Sequence, residues 1–371
     1  VTPHNCDANE KIRITQKAVL AFTMSYTASQ SLLGAVGRRF YRTCTAQLAE
    51  NSGATLIALV AFCTSSSSAM AADQTIYAAP DDGIIFLGGV GYTWLKANEL
   101  VLDEAGHHIS QLIWETQAPV LTTGFEAEID DRWTMSANAV VALSGNGHME
   151  DYDWGVDVKN IEETPDNVDF TWDHWWDRSV HPDTRLDRYI NIDIAVAHDF
   201  PIDNATILNL HGGFKYTNIK WTAYGGGGLQ SYGGFRNSPV SWPPGQPVIS
   251  YEQRFPGVFL GAEITTKLSD WTLSGLLRGG RMVHPEADDY HWGGGLFEDR
   301  FSSIDFISLG AKANYQVAES VSIFFAADFD RYLRERGDTT TFDAEGAQLD
   351  KGSAGMDFYA VTTSVGFKFK F

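Results

Sequence analysis

The sequence predicts an all-β fold, an antiparallel transmembrane β-barrel of about ten strands. Three observations point there. In the last segment, 358–371, Val361, Val365, Phe367, Phe369 and Phe371 share one face, and Thr362, Ser364, Gly366, Lys368 and Lys370 share the other. The chain is 13% aromatic with 35 Gly, yet no apolar run approaches the roughly 18 residues that a spanning helix requires. From about residue 84 onward, alternating segments recur, separated by tight turns and long polar loops in turn.

The amino-terminal part reads differently. The longest apolar run is Leu56–Cys63, LIALVAFC, followed by SSSSAMAA with an A-x-A at Ala69-Met70-Ala71. These are the h- and c-regions of a secretory signal peptide cut before Ala72. Residues 1–71 are therefore expected to be a leader, and 72–371 the barrel domain. Cys6, Cys44 and Cys63 all lie in the leader. Thiol catalysis and disulfides are then excluded from the mature protein. Removing 1–71 takes away six Lys/Arg and three Asp/Glu, leaving 21 against 44, a net charge of −23. So acidic a surface suits basic substrates or simply solvates long loops, and no nucleic-acid partner is expected.

Tight turns are expected near Asp130-Asp131, Asp199–Asn204, Leu268–Asp270 and Ala318–Ser320. Long loops are expected near Asp103–Gly106, Asp151–His181, Tyr224–Gly245, Glu286–Arg300 and Gly337–Gly355. Between them, 186–198 reads as a strand. Leu186, Ile190, Ile192, Ile194 and Val196 take one face, and Asp187, Asn191, Asp193 and Ala195 the other. In barrels of this kind the short turns are periplasmic and the long loops extracellular. The second long loop, with Trp154, Trp172, Trp175 and Trp176, reads as an insertion packed on itself.

Two charged pairs fall on the outward end. Asp151 and Asp153 are spaced by two, as are Asp289 and His291, so each pair shares a face of an extended backbone. Their strands are far apart in order and face each other across the mouth. A His beside a carboxylate has a raised pKa and a fixed tautomer, which suits a general base. Two close carboxyls share a proton and can donate it. Together they can activate a water for amide hydrolysis. A solvated turn at Asp-x-Asp and a divalent-cation site remain alternatives. No Ser-His-Asp arrangement stands out.

At these residues the chain resembles the omptin family of outer-membrane proteases. The likeness runs through Ile109-Ser110-Gln111-Leu112 with Trp114, Asp151-Tyr152-Asp153-Trp154, Asp177–Thr184, Tyr251–Phe255, Asp289-Tyr290-His291 and the carboxy-terminal strand. It implies a ten-stranded barrel with its active site in the extracellular mouth, an aspartic-type endopeptidase in the outer membrane acting on extracellular proteins or peptides. Asp289 and His291 would activate the water, facing Asp151 and Asp153, with Asp177 and His181 in support. No metal or cofactor is implied. Lipopolysaccharide is implied as an activating lipid, with Arg254 at one of its contact positions and Lys215 or Lys220 as further cations. The family's two acidic specificity-pocket positions fall on Ala97 and Ala287, so altered selection at P1 is expected, with Glu99 or Asp288 as substitutes. A barrel of the same fold serving as adhesin or receptor is the alternative. A lipid hydrolase is disfavoured.

Overall fold

The computed structural model describes residues 83–142, 144–154, 175–232, 234–343 and 346–371. The expected leader, its cleavage site, the three cysteines and Trp172 lie outside the described residues. Alternating sequence segments become thirteen strands: β1 (Ile84–Leu102), β2 (His108–Glu128), β3 (Trp133–Ala142), β4 (Gly145–Asp153), β5 (Asp177–Pro201), β6 (Thr206–Gln230), β7 (Ser238–Leu268), β8 (Trp271–Val283), β9 (Glu286–His291), β10 (Leu296–Arg300), β11 (Ser303–Ala318), β12 (Val321–Asp343) and β13 (Gly346–Lys370).

Every pairing is antiparallel, and the ladder returns on itself. β1 pairs with β2 on one edge and with β13 on the other. β3 and β4 both lie between β2 and β5, β8 and β9 both pair with β7, and β10 and β11 both pair with β12. Each of these three pairs is one stave with a short break, so the thirteen strands form ten staves of a closed barrel. Closure matters because a spanning sheet has no water to satisfy an open edge.

Polarity is inverted relative to a soluble barrel. On β5, Ile192, Ile194 and Val196 are exposed while Asp193 and Ala195 are buried. On β13, Val365 and Phe367 are exposed and Thr362 is buried. Apolar side chains thus form the outer band, and polar ones fill the interior. On β1 the band runs from Ile84 to an aromatic edge at Tyr92 and Trp94. Ala97 and Glu99 lie beyond that edge, so the candidate site stands outside the spanning segment.

The interior carries two layers. A polar layer lies within the band, where Lys215 Nζ sits 3.0 Å from Asp330 and Arg278 sits 3.2 Å from Asp193. Above it, Trp114 stacks on Tyr251 at 5.7 Å and on Trp221 at 5.9 Å, while Tyr332 packs with Phe255, Phe306 and Phe358. This aromatic floor supports the mouth. It also explains the alternation in Tyr251–Phe255: Tyr251, Gln253 and Phe255 point inward and are buried.

Two expectations change. The stretches expected as long loops at 224–245, 286–300 and 337–355 are largely strand, continuing the staves as hairpins beyond the apolar band. Their backbone groups gain partners by pairing rather than by solvation. The Gly run after Tyr224 serves a bulge: Gly225 and Gly226 take positive φ, and a Cβ on Gly226 would strike the His181 ring. The second change concerns Leu186, expected on the outer face with Ile190. The register shifts between Leu186 and Arg188, so Leu186 is buried in the interior and Asp187 is exposed.

Candidate functional site

The mouth opens at the end of the barrel with the longer connections. There β4 and β9 stand on different walls, each ending a stave. Asp151 and Asp153 lie opposite Ser179 and Asp177 of β5, and opposite Leu112 and Ser110 of β2. Between them, Tyr152 turns outward, stacked on Trp154 at 5.6 Å with Arg178 over its ring. On β9, Ala287, Asp289 and His291 face inward, and Asp288 and Tyr290 face outward. The tight turn after β9, with His291 N–H donating to Gly295 O at 2.9 Å, fixes the end of the strand that carries His291.

One cleft of about 280 Å³ brings the pairs together. Asp151, Asp153, Asp177, Ser179, His181 and His291 line it. His291 Nε2 lies 2.7 Å from Asp289 Oδ2. The Asp289 side chain is 4% exposed and the His291 side chain 39%. The order is therefore carboxyl, imidazole, cleft: the imidazole meets a substrate and the carboxyl backs it.

The electrostatics follow chiefly from burial and from neighbouring carboxyls. Burial, then the charges of Asp153, Asp289 and Asp177, push the Asp151 carboxyl up. Burial also raises Asp153 to about 6, against hydrogen bonding from Ser110 and the nearby His291. Asp289 is raised by burial, opposed by its bond to His291. Burial alone would lower His291, but the hydrogen bond and charge of Asp289 outweigh it and leave the imidazole raised. The cleft thus holds two carboxyls of raised pKa opposite an imidazole with a carboxyl behind it.

The supporting residues take distinct places. Asp177 Oδ1 accepts from the Ser231 N–H at 2.7 Å, tying the start of β5 to the β6–β7 connection. His181 is fully buried, its Nδ1 bonded to the Gly225 carbonyl and its Nε2 2.9 Å from Ser179 Oγ. This Ser-His contact did not stand out in the sequence, although Asp177, Ser179 and His181 share the two-residue period. Burial lowers the His181 pKa.

Ala97 and Ala287 are both fully buried, with no carboxyl at either position. Glu99, 4% exposed, lies in the interior against Asp289. Asp288 does not enter the interior: it faces outward between Arg254 and Arg300. Asp299 of β10, absent from the sequence expectations, is also buried, accepts from Thr339 Oγ1 at 2.7 Å, and is raised by burial to about 7. Arg254 is on the outer wall, bonded to Glu252, Glu286 and Asp288. Lys220 stands beside it, 3.8 Å from Glu252. Lys215 is buried against Asp330 inside the barrel, because its position on β6 has the inward parity, so it cannot meet a lipid phosphate outside.

The fold is shared with known proteins. The model of the Omptin family matches residues 82–371. The plasminogen activator of Yersinia pestis is 25% identical over 328 residues, covering 85% of this chain and 98% of that protein. Protease 7 of Escherichia coli strain K12 is 26% identical over 315 residues, covering 82% of this chain and 95% of that protein. The crystal structure of the outer membrane protease OmpT from Escherichia coli matches with a TM-score of 0.69 at 24% identity, covering 79% of this chain and 98% of that one.

Proposed function

The chain belongs to the omptin family, whose matched members are proteases of the outer membrane, and from that premise we propose that it is an outer-membrane endopeptidase that hydrolyses peptide bonds with a water activated by Asp289 and His291. One observation carries the reading: a half-exposed imidazole, backed by a buried carboxyl 2.7 Å away, lines the same cleft as the Asp151–Asp153 couple.

In this mechanism His291 takes a proton from water as the oxygen attacks the scissile carbonyl carbon. Asp289 orients the ring and stabilises the imidazolium. The Asp151–Asp153 couple, still holding a proton, helps to bind the water and donates toward the developing oxyanion. The imidazolium then protonates the leaving amine. General acid–base help of this kind is worth about 10²–10⁴-fold. Residues 1–71 act as a leader, cut before Ala72. The mouth faces the cell exterior, where protein and peptide substrates are met. Lipopolysaccharide phosphates supply the outer wall with anions near Arg254, Lys220 and Arg188, which lie side by side around Glu252.

A second reading has one contact behind it. Ser179 Oγ faces Nε2 of a histidine whose Nδ1 is held by a carbonyl, an arrangement that can activate a serine. The full burial of His181, and the absence of a carboxylate at its Nδ1, make it the poorer base.

The test is proteolysis by purified, lipopolysaccharide-reconstituted protein carrying Asp289→Ala, His291→Ala or Ser179→Ala. Loss in the first two with intact barrel assembly supports the water mechanism. Loss only in Ser179→Ala sinks it. Full proteolysis in all three removes both mechanisms, and no proteolysis by the unmodified, reconstituted protein favours an adhesin or receptor whose cleft is catalytically dispensable.

A further inference from the structure

Glu99 has no counterpart in the mechanism above. It is the inward residue of β1 two positions beyond Ala97, and it is 4% exposed. Other elements bring acidic and aromatic groups toward it. Asp289 comes from β9, Asp299 from β10, Asp151 from β4 and the Trp114 indole from β2, with Tyr251 of β7 beside them. No Lys or Arg is among these neighbours. Two buried oxygens here find no donor, Glu99 Oε2 and Asp289 Oδ1, and they belong to the two carboxyls that lie against each other. The Trp114 indole N–H lies beside the Glu99 carboxyl and favours its charged form, though less than burial and the neighbouring carboxyls disfavour it.

Two adjacent ionised carboxylates, buried and uncompensated, are strongly disfavoured. A single proton between them removes the problem, because a neutral carboxyl carries the donor that both orphaned oxygens lack. We infer that Glu99 stands as a neutral carboxylic acid and donates its hydroxyl to Asp289 Oδ1, leaving Oδ2 to His291 Nε2. Glu99 is then a positioning residue. It clamps the carboxylate from the side away from the imidazole and confines the negative charge to Asp289, where the imidazolium forms. The inference rests on the Asp289–His291 reading. It also separates Glu99 from selection of a basic substrate side chain, since a neutral acid offers such a cation no counter-charge.

The experiment compares Glu99→Gln, which keeps a donor without a charge, with Glu99→Leu, which has neither, in reconstituted full-length protein, with Asp289→Ala as control. Glu99→Leu is expected to lower kcat by about a hundredfold through misplacement of the dyad, with KM little changed. Glu99→Gln is expected to recover most of that loss and to keep the wild-type P1 profile. Infrared spectra at neutral pH provide a readout independent of activity and of the Leu variant's folding. The carbonyl stretch of a protonated carboxyl, present in the wild type, should be lost in Glu99→Gln. A wild-type spectrum in which Glu99 is ionised overturns the inference. So does a Gln variant as impaired as the Leu variant, or a Leu variant with wild-type kcat. An active Asp289→Ala protein would instead overturn the dyad reading, while the infrared band would still report on the shared proton.

Discussion

His291 Nε2 and Asp289 Oδ2 are 2.7 Å apart, and the carboxyl is sealed behind the ring while the ring borders the cleft. That contact keeps the imidazole's pKa raised despite its burial. The proposed mechanism needs the neutral ring, so activity should rise with pH as His291 loses its proton. In Asp289→Asn the raising influence is gone. Residual activity should fall by about 10²–10⁴-fold, and its acid limb should move to lower pH. A pH–rate profile of the variant checks both. An unshifted limb would detach the profile from His291.

Asp153 offers a stability counterpart. Its carboxyl sits at about 6 in the folded protein against 3.8 ordinarily, so the folded state binds the proton more tightly than the unfolded one. Stability from this group therefore falls as pH rises from about 4 to 6, and stays low above. Asp153→Asn should raise the temperature of barrel unfolding at pH 8, leave it little changed at pH 4, and lower proteolysis. Heat-modifiable gel mobility at the two pH values reads the first effect.

Specificity should reflect the two alanines. Ala97 and Ala287 are fully buried and offer no charge to a basic P1 side chain. A peptide library should show cleavage that is not confined to basic sites. Ala287→Asp should then increase the preference for Arg or Lys at P1 by about tenfold or more, the scale of one recovered charge pair. Strict cleavage beside basic residues by the unmodified protein would count against this.

Arg254 stands at the outer edge of the apolar band, with Glu252, Glu286 and Asp288 as partners. Arg254→Ala should weaken activation by added lipopolysaccharide, with a smaller effect on unstimulated activity. Equal activity of the wild type in lipid-free detergent and with lipopolysaccharide would end the lipid argument.

Inside the barrel, Asp330 is held by Lys215, Asn191 and Ser308. Lys215→Met leaves that carboxylate buried with its cation removed, a change that costs about 3–5 kcal/mol for such pairs. The double variant Lys215→Met/Asp330→Asn should be more stable than Lys215→Met alone. Denaturant titration of barrel fluorescence would show the order.

Much of this was legible in the residues themselves. The period of two in Phe358–Phe371 and in 190–196 carried both strand and facing, because lipid outside and polar groups inside repeat with the pleat. Asp151, Asp153 and His291 line one cleft, and the two-residue spacing of each charged pair was visible in the sequence. What escaped were interactions across the barrel. No local pattern shows that Glu99 of β1 meets Asp289 of β9, or that Asp299 joins them. Leu186 defeated the pattern because a one-residue bulge inverts facing without leaving a turn signal. The Gly-rich stretch after Tyr224 looked like a loop because glycines that open a bulge and glycines that break a strand are the same letters.

The β1–β13 ladder has a consequence for biogenesis. It is the clasp of a hoop: first and last staves meet there, with the Phe371 N–H donating to Ile84 O at 2.9 Å. Until the clasp shuts, two edges would present bare peptide groups to hydrocarbon, so insertion and closure must proceed together. The clasp is tight: a Cβ on Gly366 would collide with the Gly88 carbonyl, and one on Gly89 with that of Val365. Alanine at either glycine would therefore act on arrival in the membrane rather than on turnover, leaving fewer molecules, each competent.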